Sequence, residues 1–531
     1  MTTASEGLLQ HALTVLGNAN ALQHFHSLGF DEASDFLDDE LPAVNDYQAV
    51  NDVCRFIDHW AVTGGLESGA DLIGRAAANV RGWERPETVT REELQGDQYD
   101  IQGINWEKLD TTREKARSAR TKLCAKKARS QVRINRWAKS IPSTENYYRF
   151  RRMDTAHQAF VAHFQLRNLI SCTSRSDIYY ATKSRVMHTD ASSQTESCIM
   201  DLTKPLGDPS SPSTFTLTAL TASEEVLIAG GFSGEYALTN LSSEYGTSPT
   251  QGYVTHEYNG ITNHVHTFQS RSGGKPQGVF CSNDQRLRVL DCNTNQLIYD
   301  FGYEQAINCS ATSPNGRMRV VVGDFHETLI TDAETGLPFE RLRTHTDHVF
   351  ACAWADDGIH VATGAQDSQV AIWDARRWSR PLAVVASVMA CPRSLRFSPV
   401  GGGRRVLFSA EAEDVVNVLD AVSFDRAQTL DFYGATGGIA VTPDGAALFV
   451  ANCDSKFGGI LEFERVGFGE PHGTAAAAGR PWRGRRDDYA LLREETPWEW
   501  VAERELDDDP RVRIPARARA RRGLELASLV V

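Results

Sequence analysis

A period in the low forties, carried by two independent landmarks, constrains this chain more than any other feature. The first landmark is a tight turn, written SPNG (313–316), ADDG (355–358), SPVG (398–401) and TPDG (442–445). Its glycines, Gly316, Gly358, Gly401 and Gly445, lie 42, 43 and 44 residues apart. The second is an aspartate that ends an apolar stretch: Asp291, Asp332, Asp374 and Asp420, spaced by 41, 42 and 46. Between the landmarks the chain alternates apolar and polar residues, as in HVFACAW, IHVATGA and QVAIWD. Alternation at period two with β-branched residues specifies strands, and turns this short specify antiparallel hairpins. Helical solenoids share similar periods, but the alternation excludes them.

The best-formed unit, THTDHVFACAWADDGIHVATGAQDSQVAIWDARRW (344–378), resembles a WD repeat, whose period and four-stranded blade fit. His345, Thr363, Asp367 and Trp373 match the hydrogen-bonded tetrad of that repeat. The resemblance implies that Asp367 sits in a tight turn and holds His345, which reaches the Thr363 hydroxyl and the Trp373 indole. Leu290, Thr331 and Leu419 stand in place of the tryptophan in other units, which must rely on apolar packing.

The expected fold is all-β: a closed WD-repeat β-propeller of seven four-stranded blades, with six or eight as alternatives. The blades fall near 160–200, 214–258, 260–301, 304–343, 345–387, 391–432 and 434–465, so the propeller domain is set at 155–465. Closure hides sheet edges, and a strand near His163–Leu166 or Ser197–Leu202 is expected to supply it. ENYYRFRRMD (145–154), AHFQLRNLISCTSRSD (162–177), LIAGGFSGEYALTNL (227–241), the stretch 352–378 and LFVANCDSKFGGILEFER (448–465) resemble a poorly characterised family of fungal WD-repeat proteins. A plant branch is more distantly similar. The resemblance reaches back to VTREELQGDQYDIQGINWEKLDTTREKAR (89–117) and covers about 85–465. It supplies an architecture and no activity.

Charge divides the flanks. The net charge is −14, which argues against a general nucleic-acid binder. Residues 1–50 hold eight acids and no Lys or Arg, whereas 111–140 hold eleven Lys/Arg and one acid, Glu114. We therefore expect an acidic, partly helical or disordered region at 1–84. A family-specific extension follows at 85–154, with a basic helix at 111–139 capped by Asp110 or Thr111. That helix is expected to lie solvated beside the propeller. Its Lys126, Lys127 and Arg129 are candidates for nuclear import or RNA contact. After Arg465 periodicity stops, and 466–531 reads as a disordered tail.

Neither a membrane-spanning apolar run nor a secretory signal is expected, which points to cytoplasm and/or nucleus. The ten scattered cysteines, without a C-x-x-C pair, read as reduced core residues. No enzyme, cofactor or metal site is expected. His264 and His266 (HVH) lack a ligand cluster and read as strand packing. GGFSG (230–234) lacks the context of a nucleophile elbow. Asp284 and Asp324 read as turn residues.

Function is therefore expected on rim loops: a non-enzymatic scaffold or adaptor for other proteins. Candidate contacts just after strands are Arg175, Asp177, Phe232, Glu235, Phe325, His326, Lys456 and Phe457. One alternative is an RNA-associated processing factor, through the basic flanks. Another follows from VATGAQDSQVAIWDAR (361–376), which resembles a short motif of WD-repeat substrate receptors of cullin–RING ubiquitin ligases. In that family the arginine of the W-D-x-R ending contacts the ligase's adaptor, which here singles out Arg376, beside Asp374.

Overall fold

The computed structural model describes residues 52–62, 80–131, 138–191, 195–204, 215–242, 249–257 and 259–467, with side chains left out for 125–131. The sequence turns explain themselves at once. Gly358 has φ 70°, and a Cβ there would meet nothing within 4 Å, so the left-handed backbone alone calls for glycine. The recurring aspartates close Asx turns. Asp332 Oδ1 accepts from the backbone N–H groups of Glu334 and Thr335 at 3.0 and 2.8 Å, and Asp420 Oδ1 from Val422 and Ser423 at 2.8 and 2.9 Å.

Seven antiparallel blades follow one another: blade 1 (170–201), blade 2 (217–253), blade 3 (262–302), blade 4 (307–342), blade 5 (349–386), blade 6 (392–433) and blade 7 (435–465 with 148–154). Blades 6 and 7 share the long strand Ala427–Val441, which ends the first and begins the second. The inner strands pack in sequence, and that of blade 7 packs against that of blade 1. Leu169 N–H donates to Gly437 C=O at 3.0 Å and Leu220 N–H to Asn168 C=O at 2.7 Å, tying blade 7 to blade 1 and blade 1 to blade 2. Apolar clusters fill the space between the blades.

Blade 7 corrects the expected boundary and the expected closing strand. Its outer strand is β1 (Tyr148–Asp154), antiparallel to Gly459–Arg465, and Thr88–Thr90 adds a fifth strand outside it. Residues 148–154 therefore belong to the propeller rather than to the extension. Tyr148, Phe150 and Met153 are buried, and a bulge between Phe150 and Arg152 keeps Met153 inward. The outward arginines meet acids of the neighbouring strand: Arg152 Nε lies 3.0 Å from Glu462, and Arg149 Nε 2.7 Å from Glu464. Of the two stretches expected to close the ring, Glu196–Asp201 is the outer strand of blade 1, and His163–Leu166 forms a turn.

Among the described residues before blade 1 are two α-helices, α1 (Val53–Val62) in the region 1–84 and α2 (Arg113–Gln131) in the extension. The cap of α2 is neither Asp110 nor Thr111 but Thr112, whose Oγ1 accepts from Lys115 N–H at 3.2 Å.

Candidate functional site

The structure brings the four tetrad residues together in blade 5. His345 Nδ1 lies 3.2 Å from Asp367 Oδ2, and its Nε2 2.9 Å from Thr363 Oγ1. Trp373 Nε1 donates to Thr363 Oγ1 at 3.4 Å. Asp367 also accepts from the N–H of Thr346 at 2.9 Å and of Gln369 at 3.2 Å. All four are buried, so this set fixes a blade and offers nothing to a ligand.

The rim candidates divide. Arg376 is half exposed, but its guanidinium grips Asp374 twice, at 2.9 and 2.8 Å. Arg175 reaches across from blade 1 to Glu462 of blade 7 at 2.7 Å. Asp177 accepts from Ser174 Oγ at 2.6 Å and pairs with His188 at 3.0 Å. Phe232 is exposed, while Glu235 is buried and accepts from Ser233 N–H at 2.7 Å. Phe325 is half-buried against the core between blades 3 and 4; His326 is exposed, with its ring edge-on to His348. Asp284 pairs with Arg288, and Asp324 accepts from Asn308 Nδ2 at 2.9 Å.

Lys456 and Phe457 are not open rim residues, which corrects that expectation. Lys456 Nζ donates to Trp83 C=O at 2.7 Å. Phe457 is buried in a cluster with Val53, Phe56, Trp106 and Tyr433. The cause is α1 together with residues 80–109, which pack apolar side chains over that loop. Asp454 Oδ2 accepts from Val53 N–H at 2.8 Å, and Gln102 Nε2 donates to the carbonyls of Tyr433 and Phe457 at 2.8 and 2.9 Å.

Helix α2 is not the solvated helix expected. Arg113 pairs with Asp431 at 2.7 Å, and Arg117 with Asp414 at 3.2 Å and Asp431 at 3.3 Å. Arg120, fully buried, holds Asp414 with two nitrogens. The Arg117 guanidinium lies 4.1 Å from the centre of the Tyr433 ring. Lys126, Lys127 and Arg129 continue the helix, but their side chains lie outside the described residues.

Sequence reasoning missed the central channel. The inner strands of blades 3 to 6 and the segment 165–168 enclose a cavity of about 250 Å³. Arg167, Arg393 and Arg396 line it, with His264 and His266 on one wall, their rings 5.7 Å apart. The two histidines are thus channel residues as well as strand residues. Among the described residues no cluster of three metal-ligating side chains occurs. A signal for the channel existed: the inner strand PRSLRF of blade 6 carries two arginines where blade 5 has HVFACAW.

The outer edges of blades 3 and 4 also went unread. Strand Gln296–Gly302 is paired on one side only and exposes Leu297, Ile298 and Tyr299. Tyr299 stacks on Phe301 at 5.5 Å. Phe301 in turn abuts Gly336 of blade 4, which leads into exposed Leu337 and Phe339.

The family described as "WD domain, G-beta repeat" matches residues 336–374, the span that holds the tetrad. An uncharacterised protein of the fission yeast Schizosaccharomyces pombe is 24% identical over 253 residues, 45% of this chain and 68% of that protein. Among solved structures, a chain of the mitotic checkpoint complex is 18% identical with a TM-score of 0.47, covering 63% of this chain and 99% of that one. The WD40 β-propeller domain of Doa1 is 13% identical with a TM-score of 0.46, covering 60% of this chain and 96% of that domain. Residues 336–374 thus match one WD repeat, the seven blades of the described residues form a β-propeller fold, and the chain is similar to an uncharacterised fission-yeast protein.

Proposed function

We propose that this protein is a non-enzymatic adaptor that holds a protein partner along the outer edges of blades 3 and 4. The observation that carries the reading is the set of exposed apolar side chains Leu297, Ile298 and Tyr299 on blade 3 and Leu337 and Phe339 on blade 4, linked where Phe301, stacked on Tyr299, abuts Gly336. Contiguous apolar surface of this kind marks an interaction site, and an edge strand with unpaired backbone groups accepts a strand from a partner. The opposite case stands at blade 7, whose edge is already covered by Thr88–Thr90.

The test is proximity labelling with the full chain beside Tyr299→Glu and Phe339→Glu variants of unchanged melting midpoint. The reading expects a set of labelled proteins to disappear with either variant. An identical set from all three chains contradicts it.

A second reading, the ubiquitin-ligase substrate receptor, keeps one supporting observation. The Arg376 side chain is 52% exposed and held in a fixed direction by Asp374, the preorganised fork that an adaptor surface would meet. Recovery of the ligase adaptor by wild type but not by Arg376→Ala supports it; equal recovery ends it. The RNA-processing reading has less behind it, because Arg113, Arg117 and Arg120 are engaged in internal ion pairs. No helix of the described residues is long and apolar enough to cross a membrane.

A further inference from the structure

A guanidinium does not give up its proton in a protein, so a buried arginine needs an anion or a full set of carbonyl acceptors. The channel supplies neither in full. Arg396 lines the cavity half-buried and makes no hydrogen bond or ion pair among the described residues. Arg393 is 91% buried; one nitrogen donates to Gln366 at 2.8 Å, its plane lies 3.7 Å from the Phe350 ring, and its Nε and second terminal nitrogen are unpartnered. Arg167 donates to the carbonyls of Phe164 and Thr436 at 3.0 and 3.1 Å and has no carboxylate within ion-pair distance among the described residues.

Three cations thus face one cavity whose lining holds a single carboxylate, Asp356. Burial first, and then the neighbouring Asp357, pushes that carboxyl up towards its neutral form. Glu413 acts on Arg167 from outside the lining. The histidines report the same positive field. Burial, then His264, Arg319 and Arg396, holds His266 well below its ordinary value, and burial, then Arg393 and Arg167, holds His163 at about 4. Asn168, Asn263, Asn308 and Thr312 line the same space; the amides of Asn263 and Asn308 donate to the carbonyls of Ile307 and Val349, and the Thr312 hydroxyl meets His266, so the wall is held rigid around the arginines. His264, nine-tenths buried, has an unpartnered Nδ1.

We propose that the channel binds a small oxyanion of the phosphate class, with Arg396 as its main anchor and Arg393 and Arg167 completing the charge. The planar fork of arginine suits phosphate oxygens in pairs, and a cavity of about 250 Å³ admits a phosphate or a pyrophosphate group. The site is independent of the partner ledge, which lies on the outer edges of blades 3 and 4.

The experiment uses the full chain. It is titrated with sodium phosphate and with sodium pyrophosphate, each against sodium chloride at equal ionic strength, and read by melting midpoint and by calorimetry. The expected result is a saturable rise in melting midpoint with either phosphate probe and none with chloride. Arg396→Gln weakens binding about tenfold or more, as loss of a charge-assisted pair requires, while its melting midpoint without anion stays level or rises. Should Arg396→Gln fail to fold, Arg396→Lys keeps the charge but loses the fork, and it must weaken binding by a smaller factor. A chloride control that matches phosphate overturns the proposal, as does unchanged affinity in the Arg396 variants. Tighter binding of a phosphoserine peptide than of either inorganic probe overturns it in favour of a peptide ligand.

Discussion

Two regions of this molecule each gather three buried or half-buried arginines, and they treat the charge in opposite ways. Along α2, Arg113, Arg117 and Arg120 meet Asp414 and Asp431, with the Tyr433 ring beneath them. In the channel, Arg167, Arg393 and Arg396 meet carbonyls, an aromatic face and open space. Burial alone therefore says nothing about role. The counter-charge does: where it comes from the chain itself the contact is a finished clamp, and where it is absent the charge awaits a ligand.

The largest effect is expected at the clamp. Asp414→Asn keeps the shape and the positive φ of 68° but removes the charge that holds Arg117 and Arg120. A buried guanidinium left without its anion destabilises by about 3–5 kcal/mol, measured by chemical denaturation. A loss below about 1 kcal/mol would show that α2 does not depend on this pair.

The hydrogen-bonded tetrad around the Asp367 carboxylate should rank next. Asp367→Ala leaves His345 and two backbone N–H groups without their acceptor, at about 1–3 kcal/mol. An unchanged melting midpoint would count against the tetrad as a fixed element of blade 5.

The third effect reads the channel field itself. The His163 imidazole sits at about 4, from burial first and then from Arg393 and Arg167. The unfolded chain takes that proton near 6.5, so between pH 6.5 and 4 it binds more protons than the native chain. This group's share of stability is therefore present above pH 6.5 and falls as pH drops through that window. In the Arg393→Gln variant, NMR titration should show the His163 value raised. The same value in both proteins would place His163 outside the field of the arginines.

The architecture was legible because its signals are local. The turn glycines and the Asx aspartates act within four residues of themselves, and Gly358 and Asp332 do what their spacing implies. The tetrad was legible because all four residues lie in one repeat. What stayed hidden depends on segments far apart in the chain. Tyr148–Asp154 carries arginines on its outer face, so it does not read as a half-buried strand until Glu462 and Glu464 are seen beside it. Lys456 and Phe457 look like loop residues until α1 and Trp106 cover them. The ledge escaped because Leu297 and Tyr299 carry the composition of a core strand, and only the fold puts them on an outer edge.

The central claim is that the channel arginines, unlike those of the clamp, have no ion-pair partner among the described residues. Unfolding free energies of wild type and Arg396→Met in phosphate-free buffer test it most directly. Removing a half-buried cation that has no ion-pair partner should leave stability unchanged or raise it by up to about 1 kcal/mol, against the large loss from Asp414→Asn. A loss in Arg396→Met as large as that in Asp414→Asn would mean that Arg396 already has its partner within the fold, and the contrast between the two regions would not stand.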